Sequence, residues 1–314
     1  MCTYNGARYL PQQLESLVSQ SRRPDQLIVC DDRSSDDTLR LLEAFAAGSP
    51  FPVRVIANEE RLGPAKNFEK AISLCDGSII MLSDQDDIWK SHKIETLAHA
   101  FAEYPDAVYA FSDGDMIDEN GALLGETVWT AVGINKVIGD FAGVGQLDVL
   151  LRHNLISGAA MAIRSWFRGI ILPIPRGWMH DYWIVLLGSA LYSGVPVAET
   201  LWMYRRHTMQ TCGWRKKTYI EVFRDSLKTE PGEWTGKVDN FQKLFERLEL
   251  VSESHPCAPD RLRRLDDKAR HLSRRAAIRS SSRSARIVKV LSEALTGRYQ
   301  RFSDSWQSII RDIV

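Results

Sequence analysis

Long apolar runs are missing from this chain. Of its 314 residues, the longest stretch without a charged side chain, residues 182–198, is interrupted by Gly188, Gly194 and Pro196. It therefore reads as a buried helix, a turn and a strand, not as a helix crossing a bilayer. Cysteine is scarce as well: Cys2, Cys30, Cys75, Cys212 and Cys257 show no metal-type spacing. An odd number scattered through apolar segments points to a reducing compartment and away from a disulfide framework. No secretory signal pattern is visible, so the expected location is cytoplasmic. Neither charge sign is in excess, with 40 Lys and Arg against 40 Asp and Glu.

What the chain does have is acid in particular places. Residues 77–82 (Gly-Ser-Ile-Ile-Met-Leu) read as a short strand buried on both faces. Asp84, Asp86 and Asp87 come at its carboxyl end, with Trp89 soon after. In open α/β sheets ligands bind at that edge, and partly open oxygen ligands suit Mg²⁺ or Mn²⁺ shared with a diphosphate. The same edge is marked earlier. A strand over residues 26–30 delivers Asp31 and Asp32, and Ser35 or Asp36 is placed to cap the next helix. Residues 53–57 form a third strand and residues 63–74 a third helix with Phe68, Ala71 and Ile72 inward. Alternating strands and helices with acids on one edge predict an α/β fold with a mostly parallel, doubly wound, Rossmann-like sheet.

Taken together, Thr3-Tyr4-Asn5-Gly6, Asp31-Asp32-x-Ser34-x-Asp36-x-Thr38, Asn58 through Gly63 to Asn67, and Ser83-Asp84-Gln85-Asp86-Asp87-Ile88-Trp89 resemble successive blocks of the family 2 glycosyltransferases of GT-A fold. The Asp-Gln-Asp-Asp-Ile-Trp form is similar to the bacterial rhamnosyltransferase-like branch that builds cell-wall and O-antigen polysaccharides. The resemblance covers residues 2 to about 212. It implies that Thr3, Tyr4, Asn5 and Arg61 contact the nucleotide, that Asp32 accepts from the base and that Asp84 faces the ribose. It further implies that Asp86 ligates the metal. One departure stands out. Members of the family carry a full apolar strand before the Thr-Tyr-Asn block, and only Met1 and Cys2 precede it here. The first strand is therefore expected to be missing, leaving neighbouring backbone groups unpaired, with a natural start upstream of Met1 as the favoured explanation.

Two later blocks complete the expectation. Inverting transfer needs a base for the acceptor hydroxyl, and Asp181, at a helix start after His180 and between Trp178 and Trp183, is the candidate. Trp178 and Trp183 are expected as sugar-stacking faces, with His180 and the Gly158 segment also in the acceptor region. After a strand over residues 195–204, Arg205 and Arg206 suit a diphosphate and His207 suits the same diphosphate or the metal shell. The Tyr-Arg-x-His-x-x-Gln pattern lacks the Q-x-x-R-W motif of processive synthases. Between these blocks, residues 112–121 read as a polar turn with solvated Asp113, Asp115 and Asp118, and residues 129–144 as a mobile loop near the acceptor.

The balanced total hides a basic region. Between Arg261 and Lys289 eleven Lys and Arg face only Asp266 and Asp267, a surplus of nine. Amphipathic helices are predicted over residues 241–251 and 287–295, and residues 213–314 are expected to form a basic helical region appended to a catalytic domain over residues 1–212. Basic residues beside apolar helices suit an anionic membrane surface. Packing on the catalytic domain and a dimer contact are the alternatives. Nucleic acid is not expected as a partner, because no recognition motif accompanies the charge. The sequence thus leads to an inverting, metal-dependent transferase. The resemblance favours dTDP-L-rhamnose as donor, with a UDP-hexose as the alternative, and a saccharide or lipid-linked oligosaccharide as acceptor. A non-catalytic nucleotide-sugar-binding partner is the alternative.

Overall fold

The computed structural model describes residues 1–141, 145–208, 210, 231–303 and 306–313. Its first half alternates as β1 (Cys2–Thr3), α1 (Leu10–Val18), β2 (Leu27–Asp31), α2 (Thr38–Gly48), β3 (Val53–Ala57), α3 (Pro64–Ser73) and β4 (Ile79–Met81). All five residues of β2 are buried, which is why it reads as a continuous apolar run. Helix α3 starts where Gly63 takes a positive φ of 78° and Pro64 fills the first helical turn. Phe68, Ala71 and Ile72 then bury one face.

β2 and β3 pair in parallel, as expected, and β1 pairs in parallel with β2. The stub β1 fills the place where a missing strand was expected. Met1 O accepts from Cys30 N and Thr3 O from Asp32 N, while Cys2 N reaches Ser83 O at 3.2 Å and ties this sheet to the next. The neighbouring backbone groups at this point are therefore paired.

The second sheet departs from a mostly parallel arrangement. It contains β5 (Ile88–Trp89), β6 (Ala107–Ile117), β7 (Leu123–Thr127), β8 (Met161–Arg164) and β9 (Ser193–Arg205), in the order β4-β8-β6-β9-β5 with β7 on β6. Among the described residues only β6 with β9 is parallel in this sheet; β4 with β8, β6 with β8, β5 with β9 and β6 with β7 are antiparallel. Periodicity along one strand carries no information about the direction of its neighbour, so the mixed pairing was not readable locally.

Two expected loops are ordered elements. Residues 112–117 continue β6. There Gly114 lies under the Trp202 indole, a Cβ on it would come within 2.7 Å of the ring, and buried Asp113 accepts from Gly114 N and Trp129 N. Asp115 pairs with Lys90 at 2.5 Å. Residues 128–132 form α5 (Val128–Val132), capped by Thr127, with Trp129 buried. Residues 142–144 lie outside the described residues.

The remaining helices are α4 (Lys93–Glu103), α6 (Gly145–Arg152), α7 (Arg168–Ile171), α8 (His180–Leu191), α9 (Pro231–Leu250), α10 (Pro259–Arg279), α11 (Arg283–Ala294), α12 (Arg298–Phe302) and α13 (Trp306–Ile313). The basic region is packed onto the rest. Trp234, Phe241, Leu244, Leu248, Leu265, Leu272 and Phe302 share one apolar cluster with Trp178, Trp183 and Ile184. Several of its charges are internal. Arg275 is buried in a two-bond pair with Asp312, and His271 sits between Glu293 and Ser303. The expected boundary near residue 212 falls outside the described residues. Among the described residues, no helix is long and apolar enough to cross a membrane.

Candidate active site

The carboxyl ends of β1 and β2 build one half of the site. Asp31, fully buried, accepts from Thr3 Oγ1 at 2.7 Å and from both N and Oγ of Ser34. Asp32 accepts from Leu62 N at 2.7 Å, Gly63 N at 2.8 Å and Asn58 Nδ2 at 3.1 Å. Its carboxylate thus shapes the loop that carries Arg61, whose guanidinium lies 3.9 Å over the Tyr4 ring. Asn5 takes a positive φ of 47° and accepts from Ser35 N, closing the block onto the start of the α2 region. Thr3, Tyr4, Asn5, Asp32 and Arg61 are brought together.

The turn after β4 builds the other half. Gln85 uses both ends of its amide on the Tyr4 backbone, accepting from N at 2.8 Å and donating to O at 3.0 Å. This fixes the acid turn against the first block. Burial, then the carboxylates of Asp86 and Asp181, push the Asp84 carboxyl up to about 7. Asp87 is raised for similar reasons, burial first and then Asp86 and Asp84. Asp181 lies in the first turn of α8, near enough for its charge to raise the Asp84 pKa. Its Oδ1 accepts from Tyr182 N at 2.6 Å and from Asn154 Nδ2 at 3.2 Å. No hydrogen bond to its Oδ2 is seen among the described residues.

His207 Nε2 lies 2.9 Å from Asp86 Oδ2, both side chains largely buried. The turn holding His207 is closed by Gln210, which accepts from His207 N and donates to Arg205 O. No group of three or more His, Cys, Asp or Glu among the described residues encloses a metal. A carboxylate and an imidazole with further acids beside them nevertheless suit a hard divalent cation that takes its remaining ligands from substrate phosphates and water.

Arg205 does not reach toward a diphosphate. It is 1% exposed, and Nε donates to Asp86 O at 2.8 Å, Nη1 to Glu119 O at 3.3 Å and Nη2 to Gln12 Oε1 at 2.5 Å. Its guanidinium also covers the Tyr9 ring. The arginine braces the acid turn from beneath. Arg206, next along β9's exit, is exposed and keeps a side chain available to solvent.

The chain matches the family described as Glycosyl transferase family 2 over residues 1–168, more than half its length. It belongs to that family. The dTDP-rhamnosyl transferase RfbG of Shigella flexneri is 35% identical over 99 residues, covering 30% of this chain and 34% of that protein. The Escherichia coli WfgD, a UDP-Glc:alpha-D-GlcNAc-diphosphoundecaprenol beta-1,3-glucosyltransferase, is 26% identical over 157 residues, covering 50% and 60%. The chain thus spans between a third and three fifths of these two relatives. Among solved structures, S. aureus TarS with UDP-GlcNAc superposes with a TM-score of 0.55 at 13% identity, over 99% of this chain and 88% of that one. The mannosyltransferase PcManGT from Pyrobaculum calidifontis, with GDP-Man and Mn²⁺, gives 0.53 at 15%, over 99% and 84%. At such identities the likeness shows the fold, which is GT-A.

Within this family 2 chain, three expected sugar contacts are core residues. Trp183 is fully buried and donates to Ile171 O; Trp178 is buried and donates to Asn240 O, its ring against Tyr182, Trp183 and Phe241. His180 is buried and stacked on Phe68 at 4.0 Å, neither ring nitrogen has a hydrogen-bond partner among the described residues, and burial lowers its pKa so that it stays neutral. Gly158 explains the fit: a Cβ there would come within 2.6 Å of His180 Nε2. These residues set the position of Asp181 from behind; they do not offer faces to a sugar.

Gln85, Asn154 and Lys93 went unassigned in the sequence. Lys93 is fully buried, with Nζ 2.5 Å from Ala159 O and 4.0 Å from the Trp89 ring centre, and burial lowers its pKa to about 7 against the pull of Asp87 and Asp84. It occupies an inward position of an ordinary amphipathic helix, where a lysine carries no distinguishing signal. Gln85, by contrast, lay within the most prominent motif, and its partner is 81 residues away.

Proposed function

We propose that this chain transfers a hexosyl unit from a nucleotide sugar to a saccharide acceptor, with inversion at the anomeric carbon. The observation that carries the reading is the meeting of Asp84, Asp86 with His207, and Asp181 beside the Tyr4, Arg61 and Asp32 cluster. Tyr4 and Arg61 would clasp the base, and Asp32, with acceptor capacity left on Oδ2, would take its N–H. Asp84 would face the ribose. A bound Mg²⁺ or Mn²⁺ would be held by Asp86 and His207 and supply positive charge to the departing diphosphate. Arg206 would add a second positive group there. Asp181 keeps Oδ2 for the acceptor hydroxyl while Asn154 and the helix start hold Oδ1, the geometry a general base requires.

The likeness to RfbG favours dTDP-L-rhamnose as donor, and that to WfgD keeps UDP-glucose as the second reading. A lipid-linked acceptor would bring the protein to a membrane surface. The test is Asp181→Asn, which preserves size and removes basicity. Donor affinity should stay within a factor of about two while turnover falls by roughly two to four decades, the range of a positioned base. Turnover close to the parent's, measured as nucleotide release with acceptor present, would remove Asp181 from the chemistry.

A further inference from the structure

Helix α11 has two apolar faces, and only one is covered. Inward, Val290 and Ala294 pack on Ile278, Tyr299, Ile309 and Ile313. Outward, Ile287, Leu291 and Leu295 recur at intervals of four with Val288 beside them, a stripe roughly 100° wide. Val288 is 68%, Leu291 57% and Leu295 89% exposed. On α13, which packs against α11, Trp306 and Ile310 are exposed as well.

The accessible charge that residues 283–313 themselves contribute beside this stripe is positive. Within residues 283–313 the two described acids, Glu293 and Asp312, are buried, the first against His271 and the second paired with Arg275. Lys289 is exposed and Arg286 and Arg311 are half-buried around the same helices, whereas Arg298 and Arg301 pair with Glu293, Asp267 and Asp148. A second copy seated here would bring positive rims together, which like-charge repulsion opposes. An anionic sheet of head groups over a hydrocarbon layer matches both features.

We infer that the α11 stripe, with Trp306 and Ile310, lies on an anionic lipid surface, the helix in the interface plane. The inference extends the lipid-linked-acceptor reading, but binding to vesicles is read without any transfer assay, so either can fail alone. Arg275, one of the basic residues counted between Arg261 and Lys289, is internal and takes no part in it.

The experiment is flotation of the full chain with phosphatidylglycerol-containing and pure phosphatidylcholine vesicles. Partitioning should be about tenfold stronger to the anionic vesicles and weaken in about 0.5 M salt. The exposed double variant Leu291→Ser/Leu295→Ser should lose about tenfold in vesicle binding, and Lys289→Glu should lose part of it, both with unchanged melting temperature. Absence of parent binding, or equal binding by the double variant, overturns the inference. So does a parent dimer in light scattering that the double variant turns monomeric, since the stripe is then a self-interface.

Discussion

Replacing Arg205 with Met separates two roles that a guanidinium near a diphosphate site can have. Methionine fills much of the same volume, so the change mainly deletes donors. It strands Asp86 O, Glu119 O and Gln12 Oε1, acceptors now served at 2.8, 3.3 and 2.5 Å, and removes the cation over Tyr9. A buried polar group left unpaired costs about 1–3 kcal/mol, and some of these will recover water. We therefore expect a loss of roughly 3 kcal/mol in total. At about 2 °C per kcal/mol for a chain of this length, the melting temperature should fall by about 6 °C. Donor affinity should fall too, because the Asp86 backbone loses its brace. Arg206→Met is the companion variant: its exposed side chain should leave stability within about 0.5 kcal/mol while weakening nucleotide diphosphate binding about tenfold. Differential scanning fluorimetry and calorimetric titration read both quantities on both proteins. An Arg205→Met protein that melts with the parent yet has lost donor affinity would refute the bracing argument and return Arg205 to the diphosphate.

Three further outcomes are expected. Asp86→Ala should abolish the Mg²⁺- or Mn²⁺-dependent increment of nucleotide diphosphate affinity; titrations showing the increment intact would exclude Asp86 as a ligand. Gly6→Ala would put a Cβ 2.1 Å from Gln85 Oε1 and expel that amide from the Tyr4 backbone. Because the obstacle is the end of a flexible side chain, stability should change by less than about 1 kcal/mol while donor affinity drops several-fold, and unchanged affinity would mean that the Gln85 clamp is dispensable. His271 is held down to about 3 by burial and by Arg275, Lys268 and Arg298. The folded imidazole stays neutral while the unfolded one gains a proton below about 6.5, so this group destabilises the protein progressively as pH falls from about 6.5 to 3, by at most about 1.4 kcal/mol per unit. His271→Gln should flatten that part of the stability profile, and a profile of unchanged slope would show that His271 does not set it.

Much of the site was legible because its chemistry is carried by short, contiguous runs. Asp84, Asp86 and Asp87 after an apolar strand, and Asp31 with Asp32 after another, mark a ligand edge on local grounds, since a buried strand has to deliver the residues beyond its carboxyl end to the sheet's rim. The helix starts at Pro64 and near His180 were readable in the same way. Roles that depend on which way a side chain faces were not. Arg205 and Arg206 are adjacent and chemically identical, yet strand alternation and the Gln12, Asp86 and Glu119 acceptors bury one and leave the other in solvent. The same holds for Trp178 and Trp183, whose indole donors find backbone carbonyls elsewhere in the chain and so become core. Asp113 and Gly114 looked like a turn until Trp202 required a glycine beneath it. The surplus of positive charge was visible in composition, but its meaning was tertiary: Asp312 and Glu293 meet the cations of α10 and α12 inside the helical region, and the face left toward solvent is the apolar one on α11. Composition and periodicity determine which groups a segment can offer. Only packing, by matching each buried donor to an acceptor or leaving it in water, decided which of them this protein uses for structure and which remain for a ligand.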